Sequence, residues 1–481
     1  MKKVLFTASE GVPFIKTGGL ADVVGALPFS FPKDQCDCRV ILPKYASIPR
    51  ELSEKMEYIT CFQMDLGWRR KYVGLFRMEY RGVTFYFIDN EEYFSGGTIY
   101  YGLPGDLERY AYFSKAVLAS LPVIGFSPDI IHCHDWQTAL IPVMLEKFFR
   151  QDPFFARTKS IMTVHNMKFQ GAGDMGWIRD LTGLPDECFT SETMELYGAA
   201  SYLKGGLCYA DIISTVSETY SWEIRTPWFG ERLEGILSAR GADLWGIVDG
   251  IDCREYDPAN DAFLVKEYTA DNFRKEKKKN KAALQKELHL AESGKTMMIG
   301  IVSRLTDQKG LDLIACILHE LLQDDIQLVV LGTGDPRYED MFRYFANTYP
   351  EKVSANIFFS EELAHRIYAS CDAFLMPSMF EPCGLSQMIS MRYGTLPIVR
   401  ETGGLKDTVI PYNEYEDTGL GFSFANYNAH EMLKVIRYAE HIFTAKKAAW
   451  NRIAERAMRT DFSWEKSASK YLSMYDAALK R

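Results

Sequence analysis

Two stretches in the second half of the chain carry most of the information about the fold: DAFLMPSMFEPCG at residues 372–384 and LPIVRETGGL at residues 396–405. Each begins with an apolar run that is typical of a buried strand, and each run leads into a loop and then a helical pattern. The pattern predicts two successive strand–loop–helix units of a parallel sheet. In such a sheet the binding loops lie at the carboxyl ends of the strands.

The two loops have different but complementary compositions. Glu381 lies in the first loop, and Thr402, Gly403 and Gly404 form the second. Glycines let backbone N–H groups approach phosphate oxygens, and the start of a helix adds a favourable dipole. A carboxylate beside a glycine pair therefore predicts a site for a sugar diphosphate.

The string T-G-G-L-x-D occurs twice, at residues 17–22 and 402–407, each time between a strand and a helical segment. The repeat suggests two similar βα domains, each with a glycine loop. A chain of 481 residues is also too long for one core. We expect an N-terminal domain at 1–245, a C-terminal domain at 246–460, and a final helix at 461–481 that crosses back to the first domain.

Short apolar strands alternate with helices in both halves, which predicts an α/β fold with two Rossmann-like, doubly wound parallel sheets. Residues 71–79 and 82–89 alternate in polarity and predict antiparallel strands at one edge. The aromatic, glycine-rich segment 92–105 suits a loop that presents rings to a sugar, and it equally suits a packed surface loop.

Composition excludes several classes of protein. The net charge of −9 argues against a general nucleic-acid binder, and the basic run 274–281 predicts a solvated helix face. Ten scattered cysteines without zinc spacing predict no metal site and a reducing, cytoplasmic location. No stretch approaches the ~18 apolar residues of a membrane span, and we interpret the N-terminus as a strand, not a signal peptide.

The candidate chemistry lies in loops that follow strands. Arg304 and Lys309 could grip a diphosphate, although a solvated loop is an equal alternative. Phosphate-loop, dinucleotide and nucleophile-elbow motifs are missing from the sequence, which disfavours kinases, dehydrogenases and serine hydrolases. Three further polar residues stand at the ends of strands: Asp135, His165 and Asn166. Of the two histidines nearby, we interpret His132 as structural and leave the role of His134 open.

The motifs KTGGLADV, HDWQ, TVHNMKFQG, SRLTDQKGLD, PSMFEPCGL and RETGGLKDTV occur in this order along the chain. Together they resemble the bacterial glycogen synthases and plant starch synthases over essentially the whole length. The resemblance implies two Rossmann-like domains that face across a cleft, the GT-B arrangement. It also implies glucose transfer from ADP-glucose to the non-reducing end of an α-1,4-glucan, with retention, no metal and no cofactor. The expected partners are a nucleotide sugar and an α-glucan, not nucleic acid or membrane.

The resemblance also implies roles for residues. Arg304 and Lys309 would neutralise the departing ADP, Glu381 would stabilise the donor sugar, and His165 would lie against the transferring glucose. The remaining residues implied in substrate binding are Lys16, Gly18, Gly19, Asp22, Asp135, Asn166, Asp249, Phe359, Cys383, Gly384, Leu385, Thr402, Gly403 and Gly404.

Two positions depart from the family's pattern, because Met379 replaces a common Arg or Lys and Asp249 replaces Asn. Ile389 stands where the wider group of retaining transferases has a second Glu, which fits the glycogen and starch synthase subgroup but removes one ribose contact. Phe359 is expected at a strand end, where its ring could stack on a base. Two alternatives stay open: a related transferase with UDP-glucose or another acceptor, such as a sucrose-forming enzyme, and a glucan-binding protein that has lost catalysis.

Overall fold

The computed structural model describes all 481 residues, which form two compact units. Unit 1 comprises residues 1–250 and 464–481, and unit 2 comprises residues 251–463. The division therefore lies five residues beyond the expected boundary. None of the helices combines the length and the apolarity that crossing a membrane requires.

Unit 1 contains twelve strands and nine helices before the chain enters unit 2. The strands are β1 (Lys2–Thr7), β2 (Cys36–Pro43), β3 (Glu57–Leu66), β4 (Arg69–Tyr80), β5 (Val83–Asp89), β6 (Ile130–His134), β7 (Lys159–Val164), β8 (Ala172–Asp174), β9 (Glu195–Leu196), β10 (Ala199–Ser201), β11 (Ile212–Thr215) and β12 (Leu244–Gly246). The helices are α1 (Gly19–Ala26), α2 (Arg50–Ser53), α3 (Glu91–Phe94), α4 (Gly105–Val123), α5 (Leu140–Met144), α6 (Met175–Thr182), α7 (Tyr202–Tyr209), α8 (Glu218–Glu223) and α9 (Glu234–Ala239).

Nine of these strands form one sheet in the order β12-β11-β7-β6-β1-β2-β5-β4-β3, in which β3, β4 and β5 are antiparallel neighbours and all other pairs are parallel. The predicted antiparallel edge is confirmed, with β3 as an additional outer strand. The chain turns from one side of the sheet to the other between β1 and β6. That switch point is where an open α/β sheet binds its ligands.

Unit 2 contains six strands and eight helices. The strands are β13 (Met297–Val302), β14 (Ile326–Leu331), β15 (Val353–Asn356), β16 (Ala373–Met376), β17 (Leu396–Arg400) and β18 (Phe422–Phe424). The helices are α10 (Phe273–Glu287), α11 (Leu311–Leu321), α12 (Pro336–Thr348), α13 (Glu361–Ser370), α14 (Ser386–Arg392), α15 (Gly403–Thr408), α16 (Ala429–Ala445) and α17 (Lys447–Arg459).

All six strands of unit 2 are parallel, in the order β15-β14-β13-β16-β17-β18. The strands consist mostly of buried apolar residues because helices cover both faces of the sheet. The predicted strand–loop–helix pair is confirmed: β16 lies beside β17, with Met376 opposite Val399. The switch point of this sheet lies between β13 and β16.

The last helix, α18 (Trp464–Leu479), belongs to unit 1. Tyr471 and Tyr475 are fully buried there, and the Tyr475 hydroxyl lies 2.9 Å from Nδ1 of His132. The Ser467 hydroxyl donates to the carbonyl of Val248 over 2.7 Å. The chain thus ends against the sheet in which it begins.

The basic run 274–281 differs from the expected solvated face. Lys277 donates to the carbonyls of Tyr368 and Ala369 at the end of α13, and burial lowers the pKa of Lys277 to about 7. Lys277 is half-buried, whereas Lys281 is buried and forms an ion pair with Asp372 over 2.6 Å. The long apolar stems of these lysines let them enter the core while their ammonium groups reach fixed acceptors.

Candidate active site

The loops after β13 and β16 meet at the switch point of unit 2. Glu381 is almost fully buried there, and its Oε2 atom accepts from Nζ of Lys309 at 2.6 Å and from the Ser378 hydroxyl at 3.0 Å. Oε1 of Glu381 accepts no hydrogen bond within the protein. The structure therefore brings together the carboxylate and the lysine that the sequence predicted, and it leaves one carboxylate oxygen available to a ligand.

Backbone contacts fix the distance between these two loops. The amide of Met379 donates to the carbonyl of Gln308 at 2.9 Å, and Nε2 of Gln308 donates to the carbonyl of Phe380 at 3.3 Å. Gly310 has φ +69°, and a Cβ atom there would lie 2.0 Å from the carbonyl oxygen of Pro377. Glycine at 310 is thus required for the approach that pairs Lys309 with Glu381.

A further cation and two free amides lie on the same two loops. The Arg304 side chain is exposed and forms no ion pair, so its guanidinium can bind an anion without first breaking an internal contact. Gly384 has φ +75°, and the amides of Gly384 and Leu385 have no acceptor within the protein. These donors lie directly before α14, an arrangement that suits the oxygens of a diphosphate.

The second glycine loop, at Gly403 and Gly404, packs against the Glu381 loop, which the sequence did not reveal. Gly403 has φ +44°, and a Cβ atom there would lie 2.0 Å from the carbonyl oxygen of Glu381. The amide of Gly404 already donates to the carbonyls of Glu381 and Pro382, at 3.2 and 3.1 Å. These glycines, which follow the buried Thr402, hold the Glu381 loop in place, and the expected phosphate contact of the Gly404 amide would require those bonds to break.

Two other predicted positions in unit 2 differ in their surroundings. Phe359 is not at a strand end, because β15 ends three residues earlier at Asn356; its ring is 82% exposed and free to stack on a ligand. Cys383 is buried, and its carbonyl accepts from Nε2 of Gln387 at 3.1 Å. The thiol of Cys383 therefore belongs to the packing of the loop.

In unit 1 the loop after β1 carries the first glycine motif. Nζ of Lys16 lies 2.8 Å from Oδ1 of Asp22, the acid of the same motif. A Cβ atom at Gly18 or Gly19 would have no neighbour within 4 Å. Internal packing therefore does not require glycine at either position, in contrast to Gly403, and the open space above them suits the approach of a ligand.

Glu10 is a buried carboxylate that the sequence reasoning missed. It accepts from the backbone and the hydroxyl of Thr17 and, at 2.9 Å, from the hydroxyl of Tyr100. These bonds fix the backbone beside Lys16. The sequence does carry a signal for Glu10, because Glu10 follows a buried strand as Glu381 does. The bond from Tyr100 to Glu10 also shows that part of the aromatic segment 92–105 is packed against the protein.

Asp135 lies after β6, across the switch point from the Lys16 loop. It has φ +57°, and its Oδ1 accepts from the amide of His165 at 2.7 Å. Burial raises the pKa of Asp135 to about 7, although the amides of His165 and Asn166 oppose the shift. Asn166 accepts from the amide of Lys168 at 3.0 Å and so forms the turn that follows β7.

Three histidines form a continuous array. Nε2 of His165 lies 3.0 Å from Nδ1 of His134, whose ring stacks on His132 at 4.3 Å. Burial lowers the pKa of His165 and of His132 to about 3 and lowers that of His134 well below its usual value, so all three are neutral near pH 7. His134, undecided from the sequence, therefore orients His165.

The hydrogen bonds also favour one tautomer. Nε2 of His134 is buried without a partner, and an unprotonated nitrogen is the less costly group to leave unsatisfied. His134 then donates from Nδ1 to His165, whose own hydrogen resides on Nδ1 and can be donated to a ligand.

Asp249 is buried three residues after β12, at the end of the first segment of unit 1.

No three His, Cys, Asp or Glu side chains lie together in a way that could hold a metal ion. At the switch point of unit 2 the groups are cations, free amides and a carboxylate, which can bind an anionic leaving group. At the switch point of unit 1 the groups are a lysine, carboxylates and neutral imidazoles, which can orient the hydroxyls of a sugar.

Known proteins are similar to this chain over essentially its full length. Residues 3–239 match the family described as starch synthase catalytic domain, and residues 285–456 match glycosyl transferases group 1. The chain is 60% identical to the glycogen synthase of Lachnospira eligens, covering 99% of this chain and 100% of the relative. It is 57% identical to that of Lachnoclostridium phytofermentans, with the same coverage.

The catalytic domain of starch synthase IV from Arabidopsis thaliana, solved bound to ADP and acarbose, superimposes with a TM-score of 0.91. It is 30% identical and covers 100% of this chain and 99% of its own. The chain therefore belongs to the glycogen synthase and starch synthase family of glycosyltransferases.

Proposed function

We propose that this protein transfers glucose from ADP-glucose to the non-reducing end of an α-1,4-glucan, with retention of the anomeric configuration and without a metal ion. The observation that carries the proposal is the Glu381–Lys309–Ser378 cluster, with the exposed Arg304 on the loop after β13 and the free amides of Gly384 and Leu385 on the loop after β16. We also propose that the reaction takes place in the cytoplasm.

In this reaction the bond between the anomeric carbon and the diphosphate breaks, and negative charge develops on the departing ADP. Arg304, Lys309 and the two amides would bind that charge. Groups fixed before the reaction stabilise a transition state without reorganisation, and removal of one typically costs ~3 kcal/mol. The two cations would also supply the charge neutralisation that a metal provides in other transferases.

Glu381 would bind the donor glucose through Oε1, since Oε2 is already occupied by Lys309 and Ser378. A retaining enzyme that forms a covalent intermediate needs a second carboxyl group roughly 5 Å from the first. No partner of Glu381 in the structure is a carboxyl group. We therefore prefer transfer on the same face of the sugar within a tight ion pair.

For unit 1 we propose contacts to the glucose and its acceptor. Lys16 with Gly18 and Gly19 would meet the donor's phosphates and sugar, His165 would donate from Nδ1 to the transferring glucose, and Asp135 would act on the acceptor side. Asn166 would accompany His165. Asp249, Asp22 and Phe359 remain proposed substrate contacts, and Phe359 is exposed as a base-stacking ring requires.

The test is glucose incorporation into glycogen from ADP-glucose and UDP-glucose side by side, with and without EDTA. The proposal expects α-linked product from ADP-glucose that is insensitive to EDTA. A preference for UDP-glucose would revise the donor. Binding of glycogen without transfer from either donor would contradict the proposal and make Asp249→Asn the first reversion to examine.

A further inference from the structure

The last helix, α18, inserts one hydroxyl group into the core of unit 1. The Tyr475 side chain is fully buried, and its ring stacks on Phe31 with the centroids 5.6 Å apart. Burial raises the pKa of Tyr475 well above its usual value, so the group stays a neutral phenol with one hydrogen to donate. Its partner is His132, whose Nδ1 atom lies 2.9 Å from the hydroxyl and accepts that hydrogen.

The other nitrogen of His132 is held by neighbouring strands of the sheet. Nε2 of His132 lies 2.5 Å from the hydroxyl of Thr163 on β7, and that hydroxyl lies 2.5 Å from the Ser214 hydroxyl on β11. All three side chains are fully buried. Because Nδ1 accepts from Tyr475, His132 carries its own hydrogen on Nε2 and donates it to Thr163. A buried ring that is bonded at both nitrogens has one favoured orientation, and loss of either partner leaves a polar atom unsatisfied.

Contacts between rings extend this orientation to His165. His132 stacks on His134 with the centroids 4.3 Å apart, and Nδ1 of His134 lies 3.0 Å from Nε2 of His165. Phe6 packs against His132 and His134, with centroid distances of 5.2 and 6.0 Å. Phe6, His132 and His134 are all fully buried. Because a closely packed interior transmits displacements, a turn of His132 also moves His134 and the hydrogen bond that His134 makes to His165.

We propose that Tyr475 is a positioning residue for glucose transfer: from the last helix it fixes, through His132 and His134, the direction in which Nδ1 of His165 donates to the glucose. This inference rests on the proposed function, which assigns that bond to His165. A hydrogen bond weakens steeply when its angle departs from linearity, and a misaligned contact in the reacting complex lowers the rate. Correct docking of the last helix is therefore a condition for a fully aligned active site, although Tyr475 itself lies in the core.

The test compares Tyr475→Phe with Tyr471→Phe in glucose transfer from ADP-glucose to glycogen. Tyr471 is the matched control, because it is equally buried on the same helix and its ring lies 5.8 Å from that of His132, whose two nitrogens are both bonded to other side chains. Both variants keep the packed ring and should fold. We expect Tyr475→Phe to lower kcat about 3- to 10-fold and to leave KM for both substrates within about 2-fold. Tyr471→Phe should keep the wild-type kcat.

Nitrogen NMR of protein labelled at its eight histidines gives a second measurement, which needs no catalysis. The side-chain resonances of His165 should shift in Tyr475→Phe and stay at their wild-type positions in Tyr471→Phe. His132→Phe keeps a ring against His134 but removes both hydrogen bonds, so the addition of Tyr475→Phe to it should lower kcat no further.

The two measurements separate this inference from the proposed reaction. A shift of the His165 resonances confined to Tyr475→Phe, in a protein whose wild type transfers no glucose, would support the coupling and contradict the proposed function. Unchanged His165 resonances in Tyr475→Phe, or equal kcat values in Tyr475→Phe and Tyr471→Phe, would overturn the positioning role and leave the proposed reaction untouched.

Discussion

Replacing Lys309 by Met removes a positive charge from the side of Glu381 while keeping an apolar stem of similar length. The side chains of Lys309 and Glu381 are only 18% and 9% exposed. After the change, the Glu381 carboxylate retains the Ser378 hydroxyl as its one side-chain donor. The substitution therefore tests both the stability of unit 2 and the stabilisation of the leaving group.

Removing one member of a buried ion pair costs 3–5 kcal/mol when the remaining charge is fully desolvated. Because this pair retains some solvent contact, we expect Lys309→Met to lower the free energy of unfolding by about 2 kcal/mol. Lost contact with the departing diphosphate should lower kcat by ~10²- to 10³-fold.

The assay is a double-mutant cycle with Lys309→Met and Glu381→Gln, followed by chemical unfolding and by glucose transfer. The double variant should recover about 1–2 kcal/mol of stability, because the glutamine leaves no uncompensated charge. It should recover no activity. Lys406→Met is the control, since Lys406 is exposed on the neighbouring α15. Two results would refute the reasoning: a wild-type kcat in Lys309→Met, or a stability loss in the double variant that equals the sum of the losses in the two single variants.

Three further outcomes follow from the geometry. Gly403→Ala should destabilise unit 2 by ~2 kcal/mol or more, because residue 403 has a positive φ and a Cβ atom there would meet the Glu381 carbonyl. Gly18→Ala should leave Tm unchanged and lower kcat/KM, because the space above Gly18 is open. Differential scanning fluorimetry measures the change in Tm, and kinetics measure the change in kcat/KM. Asp135→Asn should raise the free energy of unfolding by about 1–3 kcal/mol, and the gain should grow from pH 4 to pH 7. The carboxyl of Asp135 ionises near pH 4 in the unfolded chain and only near pH 7 in the folded one, so ionisation favours the unfolded wild type within that range. A gain that does not change with pH would contradict the argument that burial raises the pKa of Asp135. Mass spectrometry of protein quenched during turnover with a slow donor should find no glucosyl ester. An ester on any Asp or Glu would contradict same-face transfer and indicate a double displacement through a covalent intermediate.

The sequence predicted the sheet and its loops because both depend on local patterns. The apolar runs at β16 and β17 are long enough to be buried strands, and parallel pairing then places their loops together. Glu381, Arg304 and Lys309 were found for the same reason, since each follows a strand. Glu10 satisfies that rule too, but its role depends on contacts with Thr17 and Tyr100 that no local pattern encodes.

Tertiary contacts decided what the sequence could not. Gly18 and Gly403 occupy equivalent places in the repeated motif, yet only Gly403 is required by packing, because only there does another loop pass within contact distance. The basic run of α10 contains two lysines that face the core, and no periodicity of charge distinguishes them from their exposed neighbours. The array from His132 to His165 joins two strands and appears only once β6 and β7 are paired.

The most direct test of the central claim is glucose transfer from ADP-glucose to glycogen by Glu381→Gln, with Glu401→Gln as the matched control. Glu401 follows the adjacent strand and accepts from the Ser423 hydroxyl at 2.7 Å, outside the Glu381 cluster. We predict that Glu381→Gln lowers kcat by at least ~10²-fold with an unchanged fold, while Glu401→Gln stays within a few-fold of the wild type. Full activity in Glu381→Gln would contradict the assignment of this cluster to the reaction.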